Sequence, residues 1–427
     1  MRYRTKWRAL TLIALLLLSS AACVPDGGDM DVPGPTEQLV VYVNPVFQSA
    51  IASAGYAFGK EYPMVDIQYR TFQDQEQYWD VMRTELMAGK GPDLVLFSFY
   101  EWYDLLKLLD AGAYWDLNRF IERDPTFDPD AYQQTVFEQS QYQGKRLYIP
   151  LYFQTFTALT TREALADFGV ALSDRPSFRE WSEALVKWIG AHPQELDRLF
   201  QSGVEMLYGE SLASLFGLQL YDPDTKELWI DTDEFRQCME LLKALYPLME
   251  REWEHPSTMD AKPMQALLHR DKLFYLVETH QFREAGALQE WDLLDTNEQL
   301  LSIPVPNQLG TQPTAYGWQM AAVNRNGRNP YNAYAFLKLL MSADQQTSVI
   351  PINREAAERR LRENFTRSEE AYASMLEDLQ NVRYVHPFSP VQWEFLLESM
   401  EPWFTGERAY DVCLEALRGR LDTYVHE

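Results

Sequence analysis

The chain is poor in cysteine, histidine and positive charge, and each shortage excludes something. Three cysteines in 427 residues rule out a disulfide-built scaffold. Six scattered histidines, with no Cys-x-x-Cys or His-x-x-x-His spacing, offer no zinc site, so no metal and no cofactor is expected. Lys and Arg number 38 against 63 Asp and Glu, a formal net charge of −25. A surface of that sign repels a phosphate backbone, so no nucleic-acid partner is expected. The sequence has no Gly-x-Ser-x-Gly elbow and no P-loop, which removes familiar marks of hydrolases and nucleotide-handling enzymes. Beyond residue 22 no apolar run reaches the roughly 20 residues that a spanning helix needs.

Aromatic residues, by contrast, are plentiful: 14% of the chain, with 12 Trp. Their flat apolar faces and polar tips suit amphipathic ligands as well as cores. The N-terminus reads as a targeting signal. Arg2, Arg4, Lys6 and Arg8 precede an apolar run of about ten residues, too short to span a membrane. The run ends in Ser19-Ser20-Ala21-Ala22-Cys23. Small residues before a lone cysteine resemble a bacterial lipoprotein signal, although Ser20 stands where such signals usually carry leucine. The expectation is a signal peptide over 1–22, lipid on Cys23, and a location on the outer face of the cytoplasmic membrane or in the periplasm. An ordinary cleaved signal is the alternative. Loss of residues 1–22 removes four basic residues and no acids, taking the charge from −25 to −29. Residues 23–37, rich in Pro, Gly and acid, read as a flexible tether. Cys238 and Cys413 fall in helix-like runs and are expected to be free thiols.

The middle of the chain alternates strand and helix at the spacing of βαβ units, which predicts an α/β sheet. Residues 39–43 form a first strand ending at Asn44-Pro45, and 65–69 a second. Helical residues 77–87 lead through Gly89-Lys90-Gly91-Pro92-Asp93 into a wholly apolar strand at 94–97. That strand empties into Phe97, Phe99, Tyr100 and Trp102. In open α/β sheets ligands sit beyond the carboxyl ends of such strands. Pro150 sits in the run 147–154, which suits a sheet edge or a bulge. Ser177 and Glu180 have capping-box spacing before Trp181, Leu185, Trp188 and Ile189, a helical apolar stripe. Strands are expected at 228–230, 273–277 and 319–323. Asn329-Pro330 starts a helix, and the final third is largely helical.

Taken in order, these pieces resemble the extracellular solute-binding proteins of ABC importers, the family that includes the maltose-binding protein. The marks are Ala88 to Asp93; Gly144-Lys145 to Pro150 leading to Thr160-Thr161-Arg162; Pro176 to Trp181; Ile303-Pro304-Val305-Pro306 before Tyr316-Gly317-Trp318; Asn329-Pro330; and Gly406 to Leu421. Thr160-Thr161-Arg162 replaces the family's usual tyrosine-asparagine-lysine. The resemblance implies a type II periplasmic-binding-protein-like α/β fold of two lobes joined by hinge strands, with ligand in the cleft. Lobe 1 would hold 38–152 and 279–321, lobe 2 would hold 153–278 and 322–427. The hinge would include Tyr152, Phe153, Glu278, Thr279 and Val323.

By position in the family pattern, candidate ligand contacts are Asn44, Phe47, Phe97, Phe99, Tyr100 and Gln154 on one wall. Glu210, His280, Gln281, Trp318 and Trp393 are candidates across the cleft. Phe97 and Trp393 fit a core as well as a cleft. The implied partners are a small solute, a sugar or oligosaccharide first of all, and ABC permease subunits, with the protein acting as a monomer. A polyamine or peptide-like solute, and a sensor on the same fold, are the alternatives. A secreted carbohydrate-active enzyme would need paired carboxylates. Glu101, Asp104, Glu210 and Glu278 are available, but no motif pairs them, and no catalytic residue is assigned.

Overall fold

A computed structural model describes residues 37–98, 105–202, 216–222, 224–254, 263–278, 294, 296–310, 312–342, 350–364, 369–386 and 390–426. All of them fall in the compact unit Pro35–Glu427. The strands are β1 (Gln38–Val43), β2 (Asp66–Thr71), β3 (Leu94–Ser98), β4 (Ile149–Thr161), β5 (Phe200–Ser202), β6 (Phe274–Glu278), β7 (Leu300–Pro304), β8 (Thr314–Val323), β9 (Ile350–Pro351) and β10 (Arg383–Tyr384). The helices up to β5 are α1 (Gln48–Glu61), α2 (Gln75–Met87), α3 (Leu105–Asp110), α4 (Asn118–Ile121), α5 (Gln134–Gln139), α6 (Arg162–Phe168), α7 (Phe178–Ala191) and α8 (Leu196–Leu199). Then follow α9 (Asp233–Glu254), α10 (Pro263–Leu268), α11 (Pro330–Ser342), α12 (Arg354–Asn364), α13 (Glu369–Gln380), α14 (Pro390–Phe404) and α15 (Tyr410–His426).

The described strands join in one sheet of order β2-β1-β3-β8-β4-β6-β5, with β10 on β8 and with β7 and β9 on β4. β4 connects its two parts. Ile149 to Thr155 pair with β8, whereas Phe156 to Leu159 pair with β6 and Thr157 to Thr161 with β7. The strand therefore passes from a first half-sheet to a second between Thr155 and Phe156. Side-chain alternation along the strands builds a core on each face. Leu39, Val41, Leu94, Leu96, Ala321 and Val323 enter one apolar cluster. Their neighbours Tyr42, Val95, Phe97, Met320 and Ala322 enter the other. Helices contribute to the clusters on both faces of this mixed sheet, parallel among β1, β2 and β3 and antiparallel where β8 and β4 join it.

Local sequence accounts for the elements that position the crossing. Asp93 is buried, and its carboxylate accepts from Val40 N at 2.8 Å and Asn329 N at 3.0 Å. It thereby ties β1 to the start of α11. Asn324 Nδ2 donates to the Lys90 and Pro92 carbonyls at 3.0 and 2.8 Å, and Gly91 has φ 104°, a conformation that glycine adopts freely. The glycine-proline-aspartate motif is thus a structural knot. The Ser177 cap forms as expected, with Glu180 N donating to Ser177 Oγ at 3.2 Å. The Glu180 carboxylate instead accepts from Ser173 N. Trp181, Leu185 and Trp188 of α7 are buried, and the Trp181 ring packs on Phe274 of β6 at 5.7 Å.

Several expectations need correction. Among the described residues, 228–230 make an isolated bridge, Tyr221 to Leu228, in place of the expected strand. Pro150 stands beside a register shift, the bulge that was one of its two expected settings, though within a central strand; the passage between half-sheets comes later along β4. β7, expected with lobe 1, closes the free edge of the second half of β4. α11, expected with lobe 2, packs on α1, with Phe336 against Phe58 at 5.5 Å. Val323 pairs with Leu94 inside the first half-sheet, where the chain turns to Asn324 and α11 and does not cross. Cys238 and Cys413 are both free and buried.

Candidate functional site

The carboxyl ends of β1 and β3 meet β8 and β4 beside the crossing. At the end of β1, Asn44 is buried and caps a short 3-10 turn, accepting from Val46 N at 3.1 Å. Phe47 closes that turn and points into the core with Ile51 and Phe58. At the end of β3, Phe97 is 1% exposed, stacked on Tyr114 at 6.3 Å and edge-on to Tyr148 at 6.0 Å. The structure places both phenylalanines in packing positions. Ser98, the next residue, accepts at Oγ from Gln75 Nε2 at 2.8 Å.

β8 supplies the Tyr-Gly-Trp motif. Pairing jumps from Tyr152–Gln319 to Phe153–Gly317, leaving Trp318 unpaired as a bulge. Bulges re-aim side chains, and Trp318 is half-buried and packs against both apolar clusters. Gly317 beside it leaves room for its neighbours: a Cβ there would lie 2.8 Å from Met320 Sδ and 3.1 Å from Tyr384 Oη, so a larger residue would displace the Met320 side chain. The two glutamines at this point are unusual. Gln154 is 0% exposed; its Oε1 accepts from Tyr316 Oη at 2.8 Å, while its Nε2 has no partner among the described residues. Gln319 is 7% exposed; its Nε2 donates to Val46 O at 3.5 Å, and its Oε1 has no partner among the described residues. Each such buried orphan costs about 1–3 kcal/mol. One is a donor and the other an acceptor.

Behind the bulge lies a polar knot with no motif to mark it. Tyr148 Oη is 3.2 Å from Tyr384 Oη and 3.0 Å from His386 Nδ1. Burial raises both tyrosines, Tyr148 well above its ordinary value. Burial also pushes His386 down to about 4, against the opposing pull of Asp224, so the ring is neutral near pH 7.

The remaining sequence candidates divide in two groups. Tyr152 and Phe153 are buried in the first part of β4. Trp393 is buried in α14 with Leu396 and Met400. Glu278 ends β6 opposite Phe156, at the passage between half-sheets. Phe99, Tyr100, Glu210, Thr279, His280 and Gln281 lie outside the described residues, as does Cys23. Sequence reasoning passed over Gln319, because an amide inside an apolar strand gives no motif. Among the described residues no cluster of His, Cys, Asp and Glu is placed to hold a metal, and no helix is long and apolar enough to cross a membrane.

No curated protein sequence matches the chain. Solved structures do resemble it. The sugar-binding protein MalE from the phytopathogen Xanthomonas citri is 15% identical with a TM-score of 0.66, covering 91% of this chain and 97% of its own. The cyclic α-maltosyl-1,6-maltose binding protein from Arthrobacter globiformis is 13% identical with a TM-score of 0.60, covering 92% and 99%. An ABC substrate-binding protein from Listeria monocytogenes, solved with cycloalternan, is 16% identical with a TM-score of 0.53, covering 92% and 100%. Likeness at these identities shows the fold, the two-lobe α/β architecture of periplasmic binding proteins. Residues 43–347 match the family described as bacterial extracellular solute-binding protein, and the chain belongs to that family.

Proposed function

We propose that this chain captures a neutral sugar or oligosaccharide outside the cell, closes about the β4 crossing, and delivers the solute to an ABC permease. The observation that carries the ligand class is the bulge at which β8 leaves Trp318 unpaired and half-buried against β4. An indole face suits the apolar face of a pyranose ring. The amides of Gln154 and Gln319, on the same pair of strands, are proposed as hydrogen-bonding groups for its hydroxyls, and neither calls for a charged solute. The three sugar-named structural relatives support the same class. Asn44, buried at the end of β1, is kept as a proposed contact, and Phe99, Tyr100, Glu210, His280 and Gln281 are the proposed contributions of the segments beyond the described residues. Glu278 and Thr279 belong to the proposed hinge with Tyr152 and Phe153. The lipid tether at Cys23 would keep the protein beside its permease.

Tryptophan fluorescence of the full chain, titrated with neutral oligosaccharides, polyamines and short peptides, tests this reading when paired with product analysis. A saturable shift with an oligosaccharide and no product is expected. A response confined to polyamine or peptide overturns the ligand class, and turnover of the sugar overturns the binding role.

A further inference from the structure

Two preformed turns, one anchored to each half-sheet, meet at a point the proposed solute site does not use. Residues 142–145 form a two-residue hairpin: Tyr142 and Lys145 exchange backbone hydrogen bonds of 2.8 and 3.0 Å. Gln143 and Gly144 have φ of 50° and 69°, as a type I′ turn demands. Arg146 N donates to Asp116 Oδ1 at 3.1 Å, fastening this hairpin just before β4 enters the first half-sheet. Asp110, the last residue of α3, lies against it, accepting at Oδ1 from Tyr142 Oη.

The opposing turn is formed by Asp222 and residues 224–227. Asp222 Oδ1 accepts from Asp224 N at 2.8 Å and Thr225 N at 2.9 Å, and Lys226 has φ 64°. Tyr221 is buried against Tyr424 of α15 at 6.3 Å. α15 packs on α14, α14 on α9, and α9 on α7, whose Trp181 reaches β6. This turn therefore belongs to the second half-sheet.

Between the turns, Gln143 N donates to Asp224 Oδ1 at 2.6 Å. Lys226 Nζ lies 3.0 Å from Asp110 Oδ2 and 3.2 Å from Tyr142 Oη. An isolated surface ion pair contributes little. Here an ammonium is shared between a carboxylate and a phenol, and a carboxylate accepts from a backbone N–H, the charge-assisted kind of bond. Both turns are already ordered by their own hydrogen bonds, so meeting costs little further entropy.

We propose that the Asp110–Tyr142–Lys226 cluster and the Asp224–Gln143 bond form a clasp that holds the two halves closed without solute and so sets the resting open-to-closed ratio. The proposal rests on the reading that the halves move about the β4 crossing. Small-angle scattering of the full chain without added solute tests it, comparing wild type with Lys226→Met and Asp224→Ala. Both side chains sit on surface turns, and circular dichroism confirms folding. Each variant is expected to have a larger radius of gyration than wild type, and molar salt should expand wild type in the same direction. Amide exchange in 142–146 and 222–228 is expected to rise about tenfold in both variants. Scattering profiles that superimpose on wild type overturn the clasp. Addition of a maltodextrin mixture reads the other claim separately. Contraction of the expanded variants supports closure on a sugar. Variants that stay expanded despite measured sugar binding refute closure and leave the clasp standing.

Discussion

Between pH 6.5 and 4, acidification should destabilise this protein through the His386 ring. His386 keeps Nδ1 3.0 Å from Tyr148 Oη, which in turn lies 3.2 Å from Tyr384 Oη. Burial pushes the ring from its ordinary 6.5 to about 4, outweighing Asp224, the Gln141 backbone and Asp222, which favour the charged form. The unfolded chain takes up the proton near 6.5 and the folded chain only near 4. Between those values the unfolded state binds more protons, so stability is full above pH 6.5 and falls as pH drops toward 4. At pH 4.5 the loss is about 2.5 kcal/mol, with 1.36 kcal/mol per unit. Asp378 acts in the opposite sense: burial raises its carboxyl to about 6 despite Arg175 at 2.8 Å, so the folded state gains protons below that value. A His386→Gln variant separates the two. Urea unfolding of both proteins at pH 7 and pH 4.5 should show wild type losing about 2–3 kcal/mol more than the variant. Equal losses would refute the claim that His386 is held neutral by its surroundings.

Other substitutions test packing, charge and site separately. Phe97→Ala should cost about 3–5 kcal/mol in urea unfolding, the range for a buried ring lost between Tyr114 and Tyr148. Lys338→Met should raise the Asp124 carboxyl. Burial favours the neutral form of Asp124, but hydrogen bonds from Lys338 and Thr126 outweigh it and hold the group at about 2. NMR titration of Asp124 reads the change directly, and the variant should lose stability above pH 4 relative to its stability at pH 2. Gln319→Met removes a buried orphan acceptor. It should leave stability unchanged or raised by up to about 1 kcal/mol while weakening oligosaccharide binding about tenfold by calorimetry.

Much of the first half-sheet was legible because period-two alternation and buried apolar runs are local signals. β1, β3 and the stripe of α7 lie within a residue or two of their expected places. The glycine-proline-aspartate run was legible as a turn, but its anchoring of Asn329 was not, because that partner is 236 residues away. The same distance problem misassigned β7 and α11: which edge a strand closes depends on surfaces that only the assembled sheet presents. Phe47 and Phe97 show a different limit. Position at a strand end suggested ligand contact, whereas alternation, which pairs Phe97 with Val95 on one face, places it in the core. Trp318 was legible from its motif, but the bulge that turns it out arises from opposed register shifts along two strands. Gln319 and His386 carry no sequence signal at all; their chemistry comes from burial.

The proposed function depends on a sugar stacking on Trp318 beside the passage of β4 between half-sheets. Calorimetric titration of wild type and Trp318→Ala with the tightest oligosaccharide of the panel reads that contact. The ring is half-buried, so the variant should remain folded, and loss of its stacking face should weaken binding at least tenfold, about 1.4 kcal/mol. Unchanged affinity in a folded Trp318→Ala variant would place the solute elsewhere and exclude stacking on this ring.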